Sequence, residues 1–260
     1  MTTGHDGRLG WEMRGPAALV TIDHPRKRNA MTPQMWSDWP ALMARLVDDP
    51  SVRVVVITGA AGHFCAGADI GQLDSVLDND RPTAAHEAIA RCPKPTIAAI
   101  TGSCIGGGVL MAGACDIRIA GESARFGVPP ANLGVVYPPL PLRRLVQLIA
   151  PAATKYLVFT AEPIGAERAR HIGLADEVLP DDVVLHRALD LAEAIARRSQ
   201  LTVQATKDLV DRMVDDTLTD ARVEAWQQQV SDSPDLAEGI AAFLERRRAE
   251  FSWNGAGLGE

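Results

Sequence analysis

The sequence predicts an α/β protein: a largely parallel sheet core followed by a helical C-terminal region. Two observations carry this. Through the first half, short runs of Val, Ile, Ala and Thr alternate with stretches of helical periodicity, the pattern of strands joined by helical crossovers. Beyond about Pro180, four successive stretches repeat their apolar residues at helical spacing with no strand signal between them. We therefore divide the chain into a core over residues 1–180 and a helical region over 181–260.

Residues 17–22 form an apolar run ended by Asp23-His24-Pro25, a strand entering a turn. Thr32 then supplies a hydroxyl cap and Pro33 a first helical position, so 34–47 starts as a helix. Residues 54–58 are continuously apolar or β-branched and end at Gly59. A strand without alternation is covered on both faces. Residues 62–71 read as a loop, 84–90 as a helix broken by Cys92-Pro93-Lys94-Pro95, and 96–100 as the next buried strand. Gly106-Gly107-Gly108 opens a helix to about Ala114, and 117–120 is again a strand. Residues 153–159 carry a helical pattern that assigns Tyr156 to the core. The C-terminal helices are expected over 183–198, 203–214, 221–230 and 236–247.

Composition narrows the function. The chain has 260 residues, 47% hydrophobic and 23% charged, with a net charge of −7. No basic face dominates, which argues against a nucleic-acid partner. Neither a signal-peptide pattern nor an apolar run of about 20 residues occurs, so a cytoplasmic location without a membrane anchor is expected. Cys65, Cys92, Cys104 and Cys115 lack CxxC pairing and histidines at ligand spacing, so we expect reduced thiols and no metal. Two basic clusters, Arg26-Lys27-Arg28 and Arg246-Arg247-Arg248, read as solvated faces or as contacts to an anionic ligand.

The chemistry is carried by Phe64-Cys65-Ala66-Gly67-Ala68-Asp69-Ile70 and the later Gly106-Gly107-Gly108. Glycines there let backbone approach a ligand closely, and N–H groups at a helix start gain from the helix dipole. Two ordinary tight turns fit the same residues. Converging N–H groups would instead make an oxyanion hole, in which one donor is worth roughly 3–4 kcal/mol.

These segments, with Ile57-Thr58-Gly59, Cys115-Asp116-Ile117, Phe126-Gly127, Asn132-Leu133-Gly134 and Ala242-Phe243-Leu244-Glu245-Arg246-Arg247, fall in an order that resembles the crotonase superfamily, the enoyl-CoA hydratase/isomerase family, over nearly the whole chain. The resemblance implies a spiral of ββα turns followed by a helical trimerisation region, in a homotrimer or hexamer. It implies an acyl-CoA thioester as substrate, with coenzyme A as part of that substrate and no separate cofactor. It places the oxyanion donors at Ala68 and Gly107. CoA would be held by Arg26, Lys27 and Arg28, by Phe243 and Arg246 (commonly from a neighbouring subunit), and at its adenine end by backbone near Ala66, Asp69 and Ile70. Asp69 serves equally well to stabilise its own loop.

One departure bears on the reaction. Hydratases of this family use two glutamates, at the positions of Leu110 and Pro130 here; single-glutamate isomerases use the latter. Neither residue moves a proton, whereas a positioned acid or base contributes about 10²–10⁴-fold. An oxyanion hole in an apolar pocket suits decarboxylation, because carbon dioxide leaves without a base. Tyr137 is the candidate proton donor: the run Pro130 to Tyr137 resembles a segment of methylmalonyl-CoA decarboxylases bearing a functional tyrosine. That group has histidine in place of Ala68 and threonine in place of Pro129. Tyr137 packing against the acyl chain is the other reading. His63 lies nearby with its direction unread, Asp116 reads as structural, Glu122 as a turn residue, and Asn132 as a poor acid or base. The function expected is enolate stabilisation, with decarboxylation its concrete form; the alternatives are a hydratase or isomerase with atypical acid/base groups and a catalytically silent acyl-CoA binder.

Overall fold

In a computed structural model, residues 7–72, 79–255, 257 and 258 are described. Strands β1 (Arg8–Arg14), β2 (Ala17–Asp23), β3 (Val54–Gly59), β4 (Thr96–Ile100), β6 (Ile117–Gly121) and β9 (Glu177–Leu179) form one sheet in the order β1-β2-β3-β4-β6-β9. Only the β1–β2 pair is antiparallel; the rest of that sheet is parallel. Strands β5 (Ser103–Ile105), β7 (Arg125–Gly127) and β8 (Ile164–Gly165) form a second, three-stranded sheet.

The uninterrupted apolar runs of β2, β3 and β4 follow from burial on both faces. Ala18, Val20, Ile22, Val55, Ile57, Ala98 and Ile100 face one cluster, which also holds residues of the helices α1 (Pro33–Asp48), α3 (Gly107–Ala114) and α5 (Pro139–Thr160). The intervening residues Ala17, Leu19, Val54, Val56, Ile97 and Ala99 pack with Val184, Ala188, Ala192 and Ala196 of α7 (Val184–Ala196). Each fully buried Val, Leu or Ile contributes about 1.5–3 kcal/mol. The first helix of the C-terminal region is thus the second cover of the main sheet.

α1 begins as its cap predicts: the Thr32 hydroxyl accepts from Met35 N at 3.2 Å, and Pro33 occupies the first turn. Its buried residues Met35, Trp36, Trp39, Met43 and Leu46 form one face. α2 (Asp80–Ala90) starts four residues before the predicted helix. α4 (Pro130–Leu133) and α6 (Ala166–His171) are short. The remaining helices are α8 (Gln200–Val214), α9 (Asp220–Asp232) and α10 (Asp235–Glu245). α10 ends two residues earlier than its periodicity suggests, because Arg246 turns left-handed at φ 53°. The four cysteines are buried and unbridged. Among the described residues, no helix is long and apolar enough to cross a membrane, and no cluster of ligating side chains forms a metal site.

Tyr156 corrects its expected core position. It is 48% exposed on α5, where the inward face is taken by Leu145, Ile149, Thr154 and Leu157. A break at Ala150 (φ 65°) before Pro151 starts a new helical phase whose buried positions are Thr154 and Leu157, and Tyr156 lies off that face.

Candidate active site

The loop after β3 is clamped residue by residue. Phe64 N donates to Thr101 O, Cys65 N to Ser103 O and Ala66 N to Arg28 O, at 2.9, 2.9 and 3.0 Å. Gly67 N meets the Cys65 sulfur at 3.4 Å, and Asp69 N donates to Met31 O at 2.9 Å. Among the described residues, the Ala68 N–H has no acceptor in the protein. Ala68 as a residue is half-buried.

The second segment is built by Gly106, which adopts φ 58° and caps α3. Its N–H donates to Gly127 O at 2.8 Å, while its carbonyl accepts from Val109 N and Leu110 N. The Gly107 and Gly108 N–H groups, in the first turn, take no protein acceptor among the described residues, as the opening of a helix requires. Gly108 is buried against Cys65, whereas Gly107 is half-buried.

Close backbone approach joins the two segments. A Cβ on Gly67, at φ 88°, would lie 2.8 Å from Ile105 O and 3.3 Å from Gly107 N. A Cβ on Gly106 would lie 3.1 Å from the Tyr137 hydroxyl. Tyr137 precedes Pro138 and Pro139, which open α5; their fixed φ angles set its direction, which the sequence alone did not reveal. Burial pushes the Tyr137 phenol up to about 12, so it keeps its proton throughout the neutral range.

The candidate acids have other partners. Asp69 is held by Lys27 Nζ at 2.6 and 2.8 Å and accepts from Gly71 N. Burial raises its carboxyl, but Lys27 and the Gly71 N–H outweigh that and leave it below the usual range. Glu87 on α2 is bound by Arg144 and Arg91. Asp116 accepts from Thr96 N at 2.7 Å and from Lys207 at 2.8 Å, the structural role expected. His63 uses Nδ1 to accept from Ser103 N at 3.1 Å and packs beside Gly102, which fixes it within the loop. Asn132 is exposed on α4. Leu110 is buried in α3 and Pro130 is buried at the start of α4.

Of the expected CoA contacts, Lys27 is engaged with Asp69, while the exposed Arg26 and Arg28 have no side-chain partner among the described residues. The amides of Ala66 and Asp69 are taken by Arg28 O and Met31 O. Ile70 is 55% exposed, and Phe243, near the end of α10, is 83% exposed beside the left-handed Arg246.

Two side chains behind Gly107 escaped the sequence reading. Trp36 places its ring edge 3.0 Å from where a Gly107 Cβ would stand, and His86 Nε2 lies 3.2 Å from Gly107 O. Neither carries a motif: one is an apolar residue in a helical stripe, the other a lone histidine in a helix.

The family model for enoyl-CoA hydratase/isomerase matches residues 12–254. The 2,3-dehydroadipyl-CoA hydratase of Escherichia coli K12 is 33% identical over 240 residues, covering 90% of this chain and 94% of that protein. A peroxisomal Delta(3,5)-Delta(2,4)-dienoyl-CoA isomerase of Arabidopsis thaliana is 31% identical, covering 90% and 91%. The crystal structure of an enoyl-CoA hydratase/isomerase family member superposes with a TM-score of 0.91 at 38% identity, covering 96% of this chain and 99% of its own. The chain therefore belongs to the enoyl-CoA hydratase/isomerase family, the crotonase superfamily.

Proposed function

We propose that this chain is an acyl-CoA enzyme that binds the thioester oxygen between Ala68 N–H and Gly107 N–H and stabilises an enolate there. The observation that carries this reading is the pair of N–H groups without a protein acceptor among the described residues, on the half-buried Ala68 and Gly107 of two segments pressed together at Gly67 and Gly106, with the Tyr137 hydroxyl beside them. Such donors favour the enolate over the resting thioester, because only the enolate carries a full negative charge.

The reaction we assign is decarboxylation of a malonyl-type CoA ester. The bond between the α-carbon and the carboxylate breaks, carbon dioxide leaves, and the electron pair moves into the carbonyl to give the enolate. Tyr137 then delivers a proton to the α-carbon and is reprotonated from water. Leu110 and Pro130 support this route, since neither side chain can activate water or shuttle a proton. Arg26 and Arg28 hold CoA phosphates, and backbone carbonyls near Ala66, Asp69 and Ile70 meet the adenine. Phe243 and Arg246 complete the CoA site across a subunit boundary in a homotrimer or hexamer.

Purified protein incubated with methylmalonyl-CoA and, separately, crotonyl-CoA tests this. We expect carbon dioxide release and no matching hydration. Faster hydration of crotonyl-CoA, unaffected by Tyr137→Phe, would support a hydratase or isomerase with atypical acid/base groups. CoA-ester binding without turnover on any thioester would support a silent binder.

A further inference from the structure

His86 lies on α2, outside the glycine segments, and is 1% exposed. Its Nε2 stands 3.2 Å from the Gly107 carbonyl oxygen. A carbonyl only accepts, so Nε2 carries the hydrogen and Nδ1 is a bare acceptor. Among the described residues, Nδ1 has no partner, and neither has the indole Nε1 of Trp36, itself 2% exposed. The two rings meet edge to face, with centroids 5.3 Å apart and planes at 71°. The Trp36 edge also stands 3.0–3.1 Å from the Cβ position of Gly107.

A buried polar atom left unpaired costs about 1–3 kcal/mol. An aliphatic side chain at position 86 would avoid that cost and still fill the core. The one hydrogen bond that His86 makes among the described residues is therefore the feature its presence serves. That contact falls on the residue whose N–H is the second oxyanion donor. Gly107 needs such support: it has no side chain of its own and follows a residue at φ 58°. Burial pushes the His86 imidazolium down to about 4, despite a smaller opposing effect from the Gly107 carbonyl, so the ring stays neutral with a single N–H.

We infer that His86 is a positioning residue: its Nε2–H, backed by the Trp36 ring edge, fixes the Gly107 backbone and so aims the Gly107 N–H at the thioester oxygen. This rests on the oxyanion reading proposed above. A misplacement of about 1 Å at such a donor costs on the order of 10²-fold in rate.

Isotope-edited infrared spectroscopy of [1-13C]butyryl-CoA bound to the full chain tests both readings separately. This saturated ester has no double bond to hydrate and no carboxylate to lose. Donors aimed at its oxygen lower the carbonyl stretch. We expect a downshift in the parent protein, loss of most of it in His86→Leu, and its retention in His86→Gln, whose amide reaches the same carbonyl. A parent downshift unchanged in His86→Leu would overturn the role of His86 and leave the oxyanion hole standing. No downshift in the parent would overturn the oxyanion hole itself. Should His86→Leu fail to fold, His86→Asn replaces it: its shorter amide does not reach Gly107 O, and a shift equal to that of His86→Gln would overturn the proposal.

Discussion

A methyl group on Gly67 would sit 2.8 Å from a backbone oxygen at a φ of 88°. Both the contact and the dihedral exclude other residues, so the loop before Ala68 has one solution. Gly67→Ala should cost about 1–3 kcal/mol in backbone strain and, by moving the Ala68 N–H, about 10²–10³-fold in kcat; thermal melts and steady-state rates read the two effects apart. Tyr137→Phe should lower decarboxylation by about 10²–10⁴-fold with little change in KM. Its pH profile carries a further sign: with the phenol held near 12 by burial, activity dependent on the protonated form should show no loss through the neutral range. At this scale the close approach of the two backbone segments was legible in sequence, because glycine patterns mark it. It did not expose His86 or Trp36, whose importance lies in which carbonyl or glycine they touch.

Among the elements, α1 is held at both ends by side chains. Thr32 caps its start, and the buried Lys94, from the loop before β4, donates to Leu46 O at 2.8 Å and Asp49 O at 2.7 Å near its end. A cation satisfying terminal carbonyls is favoured there by the helix dipole. Lys94→Met should destabilise the chain by about 1–3 kcal/mol, read by denaturant unfolding, by stranding those carbonyls. α8 and α9 are joined through Asp208, which accepts from Arg222 at 2.7 Å and Trp226 Nε1 at 2.7 Å, and from Arg212. Burial raises its carboxyl, but these three donors together bring it down to about 2. An unfolded aspartate titrates near 4. Its contribution is therefore complete above about pH 4 and is lost as pH falls through about 2. Melting temperature should drop across that window in the parent, and Asp208→Asn should flatten the drop while lowering stability at neutral pH. The buried strands β2, β3, β4 and β6 and the helices with continuous periodicity were legible in sequence; the seven-residue β1 was not, because its charged and half-exposed residues show no apolar run. Strands of two or three residues such as β5, β7, β8 and β9 hold too few positions to show a period, and no single period runs through α5 because it is broken at Ala150.

At the level of the whole molecule, the buried faces of the main sheet are complete within one chain, whereas Phe243 and Leu244 on α10 stand 83% and 74% exposed. Exposed apolar side chains of this size are expected at a subunit boundary. Light scattering should give a mass at least three times that of the 27.8 kDa chain, and Phe243→Asp should weaken both assembly and CoA-ester affinity if α10 serves a neighbour's site. The parallel core and the helical tail were readable because burial on two faces removes alternation from strands and because the tail lacks strands. How the tail folds back over the sheet through α7 depends on tertiary packing that no local pattern encodes. The chemistry proposed for this chain turns on two main-chain N–H groups and one oxygen. A crystal structure with an unreactive acyl-CoA thioester bound measures it directly. The thioester oxygen is expected about 3 Å from both Ala68 N and Gly107 N, with the Tyr137 hydroxyl facing the α-carbon; an oxygen bound by neither N–H would rule the oxyanion hole out.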